Sequence, residues 1–252
     1  MDIKLYRCLK CHGTISWEVA SLICSLCGSN IDVINQEIPV FLSEEQGLHS
    51  SSMGLMSQLF EQPVVYNFLV HLKYIIASDE HIGLCEIADG QSLLNIGCGS
   101  NTEAPYLEYD IHALTKFAAT DISKPFVMAA QENCSRKDAN FCVASIQDLP
   151  YPDSSFDVVV IPFVLHHLPF PLALGLNEGL RVARKYVVIY DHIKSSAPWM
   201  RMIQEYYWRI FDGGTHYLDE DAWKETLQGF RIIRMLRTGA IGKHVVKFIL
   251  EK

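Results

Sequence analysis

Four of the chain's eight cysteines form two tight pairs, Cys8-Leu-Lys-Cys11 and Cys24-Ser-Leu-Cys27, with twelve residues between them. A C-x-x-C knuckle aims two thiolates at one tetrahedral ion, and two knuckles complete a four-sulfur shell of the kind zinc takes. Four sulfurs leave no open position, so such an ion folds the segment rather than catalysing, and the neighbouring His12 is a bystander. The alternative, a redox or coincidental pair, fits this doubled spacing poorly. Cys85, Cys98, Cys134 and Cys142 are scattered singly, as expected of reduced thiols in a cytoplasmic protein.

A second constellation is Leu93-Leu-Asn-Ile-Gly97-Cys-Gly99-Ser-Asn101. Glycine lets a backbone approach a ligand closely at the carboxyl edge of a parallel sheet. Two glycines after a strand would equally suit a structural turn. About twenty residues on, Ala118-Ala-Thr-Asp121 places a carboxylate at a strand tip, where an acid can accept both hydroxyls of a ribose. Alone, Asp121 could be a helix cap; together the two features support a nucleotide site.

Polar groups follow two later apolar runs: His166 and His167 after Val158–Leu165, and Asp191 and His192 in Tyr190-Asp-His-Ile. His216 and Tyr217 lie on the glycine hinge Phe211-Asp-Gly-Gly-Thr-His-Tyr, which leads into a capped helix. The histidines and Asp191 could accept a proton from a hydroxyl or phenol, and the hinge of His216 and Tyr217 suits a substrate-facing loop. Each could also be a satisfied buried histidine, an N-cap or a surface turn.

The elements that must position these groups are legible in the pattern. Strands are expected at 92–96, 118–121, 140–144, 156–161 and 186–190, alternating with helical stretches, then at 231–237 and 245–250 with no helix between. This predicts an α/β fold, a doubly wound, mostly parallel seven-stranded sheet ending in an antiparallel hairpin. Residues 1–42 read as a small unit held by something other than a core, 43–90 as a helical lid or linker, and 91–252 as the main domain. Trp199 and Tyr206–Phe211 have helical spacing, which fits a core or lid face better than base stacking, as it does for Met53, Met56, Phe60 and Tyr66.

The composition narrows the partners. The chain of 252 residues is 49% hydrophobic and 20% charged, an ordinary globular mix. Its net charge of -8, without a basic run, disfavours non-specific nucleic-acid binding. The N-terminus lacks a signal-peptide pattern, and the most apolar stretch, 158–176, is broken by prolines and histidines, so no membrane span is expected.

Two resemblances sharpen this reading. Tyr6-Arg-Cys-Leu-Lys-Cys11, Leu22-Ile-Cys-Ser-Leu-Cys27 and Ile38-Pro-Val-Phe-Leu42 resemble the Trm112-type zinc ribbon, a module that serves as a methyltransferase partner or is fused ahead of a methyltransferase domain. From about Gln91 to Leu250 the ordered motifs resemble class I S-adenosylmethionine-dependent methyltransferases related to ubiquinone-biosynthesis C-methyltransferases. By that resemblance Gly97, Cys98 and Gly99 lie along the methionine part of S-adenosylmethionine, Asp121 holds the ribose and Ile122 packs on adenine. Ser145, Ile146 and Gln147 form the adenine turn, and Pro162 and Phe163 stand beside the sulfonium. Three positions depart from the family: Asn95 replaces an acid, Asn101 the third glycine and Ser145 an Asp. Asn95 still offers hydrogen bonds to the methionine ammonium, without a charge.

The resulting expectation is methyl transfer to a small apolar or aromatic metabolite. His167, Asp191, His192, His216 and Tyr217 are the candidate catalytic groups, and Cys8, Cys11, Cys24 and Cys27 the structural zinc ligands. An RNA-base or protein methyltransferase that uses the ribbon for recognition is the second reading. A non-catalytic module that docks a protein partner through the ribbon is the third.

Overall fold

The computed structural model describes residues 1–18, 21–42, 81–104, 107–168, 172–211, 214, 216–238 and 244–252. The expected helical segment falls outside them as far as residue 80, with Met53, Met56, Phe60 and Tyr66. Its end forms a short helix, α1 (Leu84–Ala88).

The apolar runs are strands: β5 (Ser92–Ile96), β6 (Lys116–Asp121), β7 (Asn140–Ala144), β8 (Phe156–Pro162), β9 (Ala183–His192), β10 (Arg231–Thr238) and β11 (Val245–Glu251). They lie in the order β7-β6-β5-β8-β9-β11-β10. The first five are parallel, and β11 runs antiparallel to both β9 and β10, as the sequence, with no helical pattern between the last two strands, predicts. β5 and β7 are buried along their whole length, because a parallel sheet is covered on both faces. The main helices are α2 (Lys124–Asn133), α3 (Ala173–Val182), α4 (Pro198–Phe211) and α5 (Glu220–Thr226). Strand order reverses between β5 and β8, and the crevice at that switch, outside the carboxyl ends of the strands, is where such sheets hold ligands.

The cysteine-rich segment joins the same sheet. Its strands β1 (Ile15–Glu18), β2 (Ser21–Cys24), β3 (Asn30–Ile34) and β4 (Ile38–Phe41) form an antiparallel meander, and β4 pairs in parallel with β7, Val40 opposite Val143 and Phe41 opposite Ala144. One sheet of eleven strands results. Leu5, Tyr6, Ile15, Leu22, Ile31 and Phe41 share a core with Ala144, Ile146, Leu149 and Tyr151. The Tyr6 ring sits 5.4 Å from Phe41 and 5.6 Å from Tyr151, and its hydroxyl donates to the Phe141 carbonyl at 3.3 Å. The ribbon thus leans on the core of the larger domain, and it covers the edge of β7.

On α4, Trp208 is buried as expected, whereas Trp199, Tyr206 and Tyr207 are exposed. Asp219 caps α5 by accepting the Ala222 amide at 3.1 Å. Among the described residues no helix is long and apolar enough to cross a membrane.

Asp157 on β8 locks the amino end of the sheet. It accepts the Ser92 hydroxyl at 2.7 Å and amide at 3.1 Å and pairs with Arg184 at 2.9 Å, and its side chain is 14% exposed. Burial opposes its charge, but the Ser92 and Arg184 bonds prevail and hold the carboxyl down at about 2. A depressed carboxyl contributes stability that is present above about pH 4 and lost as pH falls through its folded value. Asp157→Asn is therefore expected to cost about 2 kcal/mol at pH 7. Urea melts should show most of this penalty gone at pH 2 and the rest lost below it; a penalty independent of pH would contradict the account.

Candidate functional site

β5 ends at Ile96, and the chain turns through Gly97 at φ +74° and Gly99 at φ +56°, left-handed conformations that favour glycine. The Gly97 and Cys98 amides donate to the Thr120 carbonyl at 2.7 and 3.1 Å. The Gly99 amide donates to Asp121 Oδ2 at 3.0 Å, and Oδ1 accepts from the Ser123 amide at 2.9 Å. Glycine loop and strand-tip acid are thereby one unit. Burial raises the Asp121 carboxyl, against the pull of the Ser123 and Gly99 amides. The Cys98 thiol is pushed well up, by burial first and then by Asp121, and stays neutral.

Gly97 is fixed by packing as well as by conformation. A Cβ there would lie 2.1 Å from Val164 Cγ2, on the loop after β8. Asn95, fully buried on β5, donates through Nδ2 to Tyr109 Oη at 2.9 Å, which in turn donates to the Thr102 carbonyl at 2.9 Å. Asn95 Oδ1 is buried and has no hydrogen-bond partner among the described residues. Such an acceptor costs about 1–3 kcal/mol until a donor reaches it. Asn101, in the third-glycine position, accepts the Glu103 amide at 2.9 Å and closes a local turn.

The remaining expected ligand contacts lie on the loops of neighbouring strands. Ser145 is buried after β7, and its Oγ accepts the Gln147 amide at 3.2 Å. Ile146 is buried, Gln147 half-buried and Ile122, after β6, exposed. Pro162 ends β8 buried. Phe163 follows at φ +55°, a strained conformation for a bulky residue and one that clusters at functional sites. Its amide donates to the Tyr190 carbonyl at 2.7 Å, and its ring lies 5.2 Å from His192.

The polar candidates converge beyond it. Asp191 and His192 are the last two residues of β9, so Asp191 belongs to a strand and is no helix cap. His166 lies in a 3-10 turn, Leu165–His167. Its Nδ1 is 2.6 Å from Asp191 Oδ1, with both side chains almost wholly buried. Asp191 also accepts the His166 amide at 3.3 Å and the His192 amide at 2.6 Å. Burial works against its charge, but His166 prevails, and the carboxyl is held below its ordinary value.

Tyr217 stacks between Trp208 at 4.4 Å and His166 at 5.1 Å, each pair within 18° of parallel. His192 lies 5.0 Å from both His166 and Trp208. His216 donates its amide to the His166 carbonyl at 3.0 Å. His167 is exposed, its ring 4.1 Å from that of His166. The centre of the cluster is therefore His166, whose sequence signal was no stronger than that of its neighbour. Which of two adjacent histidines faces inward is decided by the turn that carries them.

At the far end of the sheet the Sγ atoms of Cys8, Cys11, Cys24 and Cys27 lie within 4.8 Å of one another. Cys8 and Cys27 are 3.7 Å apart, Cys11 and Cys24 3.4 Å. His12, at φ +60°, donates its amide to the Cys8 carbonyl at 2.8 Å and shapes the first knuckle without joining the cluster.

Residues 94–189, from β5 to β9, match the family model described as a methyltransferase domain. The chain has the fold of a class I S-adenosylmethionine-dependent methyltransferase. It is 32% identical over 96 residues to 27-O-demethylrifamycin SV methyltransferase of Amycolatopsis mediterranei, covering 36% of this chain and 35% of that one. It is 26% identical over 143 residues to demethylmenaquinone methyltransferase of Bacillus licheniformis, covering 56% and 60%. The chain thus spans from about a third to three fifths of the length of these curated relatives. A chain in the complex between the Trm112 methyltransferase activator of Haloferax volcanii and a methyltransferase superimposes with a TM-score of 0.62 at 12% identity, covering 76% of this chain and 95% of that one.

Gly97→Ala combines a left-handed alanine, roughly 1–2 kcal/mol, with the collision against Val164. Thermal melts should show a clear loss of stability in Gly97→Ala, and Gly97→Ala/Val164→Ala should regain part of it by removing the collision alone. Equal melting temperatures for the wild type and Gly97→Ala would overturn this view of the loop.

Proposed function

We propose that the protein transfers the methyl group of S-adenosylmethionine to a small, apolar or aromatic metabolite. The observation that carries the reading is the bond between the Gly99 amide and Asp121. It holds the glycine loop and a strand-tip carboxylate together at the switch point of the sheet, with acceptor capacity left on both carboxylate oxygens for a ribose. The buried Asn95 Oδ1 fits a donor from the methionine ammonium. Gly97 and Cys98 would line the methionine chain, Ile122 with Ser145, Ile146 and Gln147 the adenine, and Pro162 and Phe163 the reacting methyl.

The sulfonium supplies an already activated methyl group when bound. The chain's part is to align the acceptor and keep water away, which the buried rings of His166, His192 and Trp208 suit. Asp191, His192, His216 and Tyr217, with His167 at the rim, surround the acceptor position in this reading. The net negative charge of the chain and the stacked Tyr217 and Trp208 favour a small flat acceptor over RNA. Both curated relatives carry names of small-molecule enzymes.

The four cysteines fit a structural zinc ion by number, chemistry and mutual approach. One zinc per chain is expected by elemental analysis. Because the ribbon shares its core with β7 and Tyr151, a strong chelator should lower the melting temperature of the whole chain in one transition. Unchanged melting of a metal-stripped protein would count against this site.

Titration calorimetry tests the donor site. The wild type should bind S-adenosylmethionine, and Asp121→Ala should weaken binding by about 10- to 100-fold, the loss of charge-assisted hydrogen bonds worth 1.5–3 kcal/mol. No binding by the zinc-loaded wild type would sink the enzymatic reading and favour a module that docks a partner through the ribbon.

A further inference from the structure

Methyl transfer from a sulfonium needs no base when the acceptor is an electron-rich carbon or a neutral amine, and gains from one when it is a hydroxyl. The protein carries a buried pair with the composition of a base and its orienting acid. His166 and Asp191, at the carboxyl ends of β8 and β9, are almost wholly buried and 2.6 Å apart. Replacing a buried ion pair by apolar groups is commonly neutral or stabilising, so stability alone does not account for it. We infer that His166 is the general base of the transfer, oriented by Asp191 as a positioning residue, and that the acceptor is a hydroxyl, most simply a phenol. This rests on the methyltransferase reading above and names the class of acceptor within it.

The geometry assigns the roles. Asp191 accepts a hydrogen bond from Nδ1–H, which leaves Nε2 as the atom of the ring that accepts a proton. The amides of His166 and His192 hold the carboxylate in place, and its depressed pKa keeps it charged. Tyr217 covers one face of the ring and Trp208 covers Tyr217, so the imidazole is fixed in plane. In the step itself the acceptor O–H gives its proton to Nε2 while an oxygen lone pair forms the new O–CH3 bond. The C–S bond breaks, and its electron pair stays on sulfur as the thioether. The proton ends on Nε2 of His166, which must be deprotonated again before the next turnover.

Around this imidazole the titratable groups among the described residues include His167 on its own turn, Asp191 and His192 on β9, and His216 and Tyr217 before α5, with the uncharged Trp208 of α4 packed against His192 and Tyr217. The rate should rise with pH as His166 loses its proton, along a limb that vanishes in His166→Gln.

The test uses the full zinc-loaded chain with methyl-labelled S-adenosylmethionine, catechol and 1,4-dihydroxynaphthalene as acceptors and their dimethyl ethers as controls. Mass spectrometry reads the site of methylation, and calorimetry reads donor affinity. Methyl ethers should form from the hydroxyl compounds alone. His166→Gln should lower kcat by roughly 10²–10⁴-fold with donor affinity within about threefold, and Asp191→Asn should displace the pH limb. Methylation at carbon, equal reaction of the dimethyl ethers, a His166→Gln rate within about threefold of wild type, or a donor-binding wild type that methylates neither hydroxyl compound would each overturn the proposal. Loss of donor binding in the wild type would instead refute the methyltransferase reading. Nitrogen-15 NMR of the histidine-labelled wild type needs no variant to fold: His166 must show the Nδ1–H tautomer, and an Nε2–H tautomer would refute the base.

Discussion

The hydrogen bond from the Gly99 amide to Asp121 is the constraint on which the site depends. It ties the turn after β5 to the tip of β6, and both Gly97 and Cys98 add amides to the same neighbouring strand. The turn can be this tight only because residue 97 lacks a side chain, and the space a side chain would need is filled by Val164 from the far side of the switch point. Three strands are thereby registered against one another at their carboxyl ends. Phe163, held at positive φ by its amide bond to the Tyr190 carbonyl, extends that registration to β9 and so to Asp191.

The same sheet carries structural information the other way. β7 leads directly into the turn of Ser145, Ile146 and Gln147, and its outer edge is completed by β4 of the ribbon. Arg7 and Tyr6 reach past that edge to Pro150 and Tyr151, so the turn is buttressed from outside the main domain. The ribbon is part of the wall behind the proposed adenine site and is not an appendage beside it.

Much of this was legible in the sequence. All seven strands of the main domain follow from short apolar runs, and the closing hairpin follows from the lack of a helical pattern in the sequence between 238 and 245. β9 is longer than its pattern because Arg184-Lys185 and Asp191-His192 look polar; in the fold Asp191 and His192 are buried by mutual pairing instead of apolarity. The junction of β4 with β7 left no local trace, since a parallel edge pairing is set by shape and burial across the chain. Helical spacing placed the aromatics of α4 on a helix but could not say that Trp208 turns inward while Trp199 does not. The approach of His166 to Asp191 likewise depends on two strands lying side by side, a fact of topology and not of spacing.

That junction also has a history within each newly made molecule. Val40 and Val143 lie roughly a hundred residues apart, and chains emerge amino end first. The ribbon therefore leaves the ribosome well before the strand that completes it has been synthesised, with Phe41 and Tyr6 still lacking their neighbours on β7 and beyond. During that interval only its own meander and the two cysteine knuckles can hold it together. The knuckles thus matter most early in the life of the chain, before the sheet that later shelters the ribbon exists.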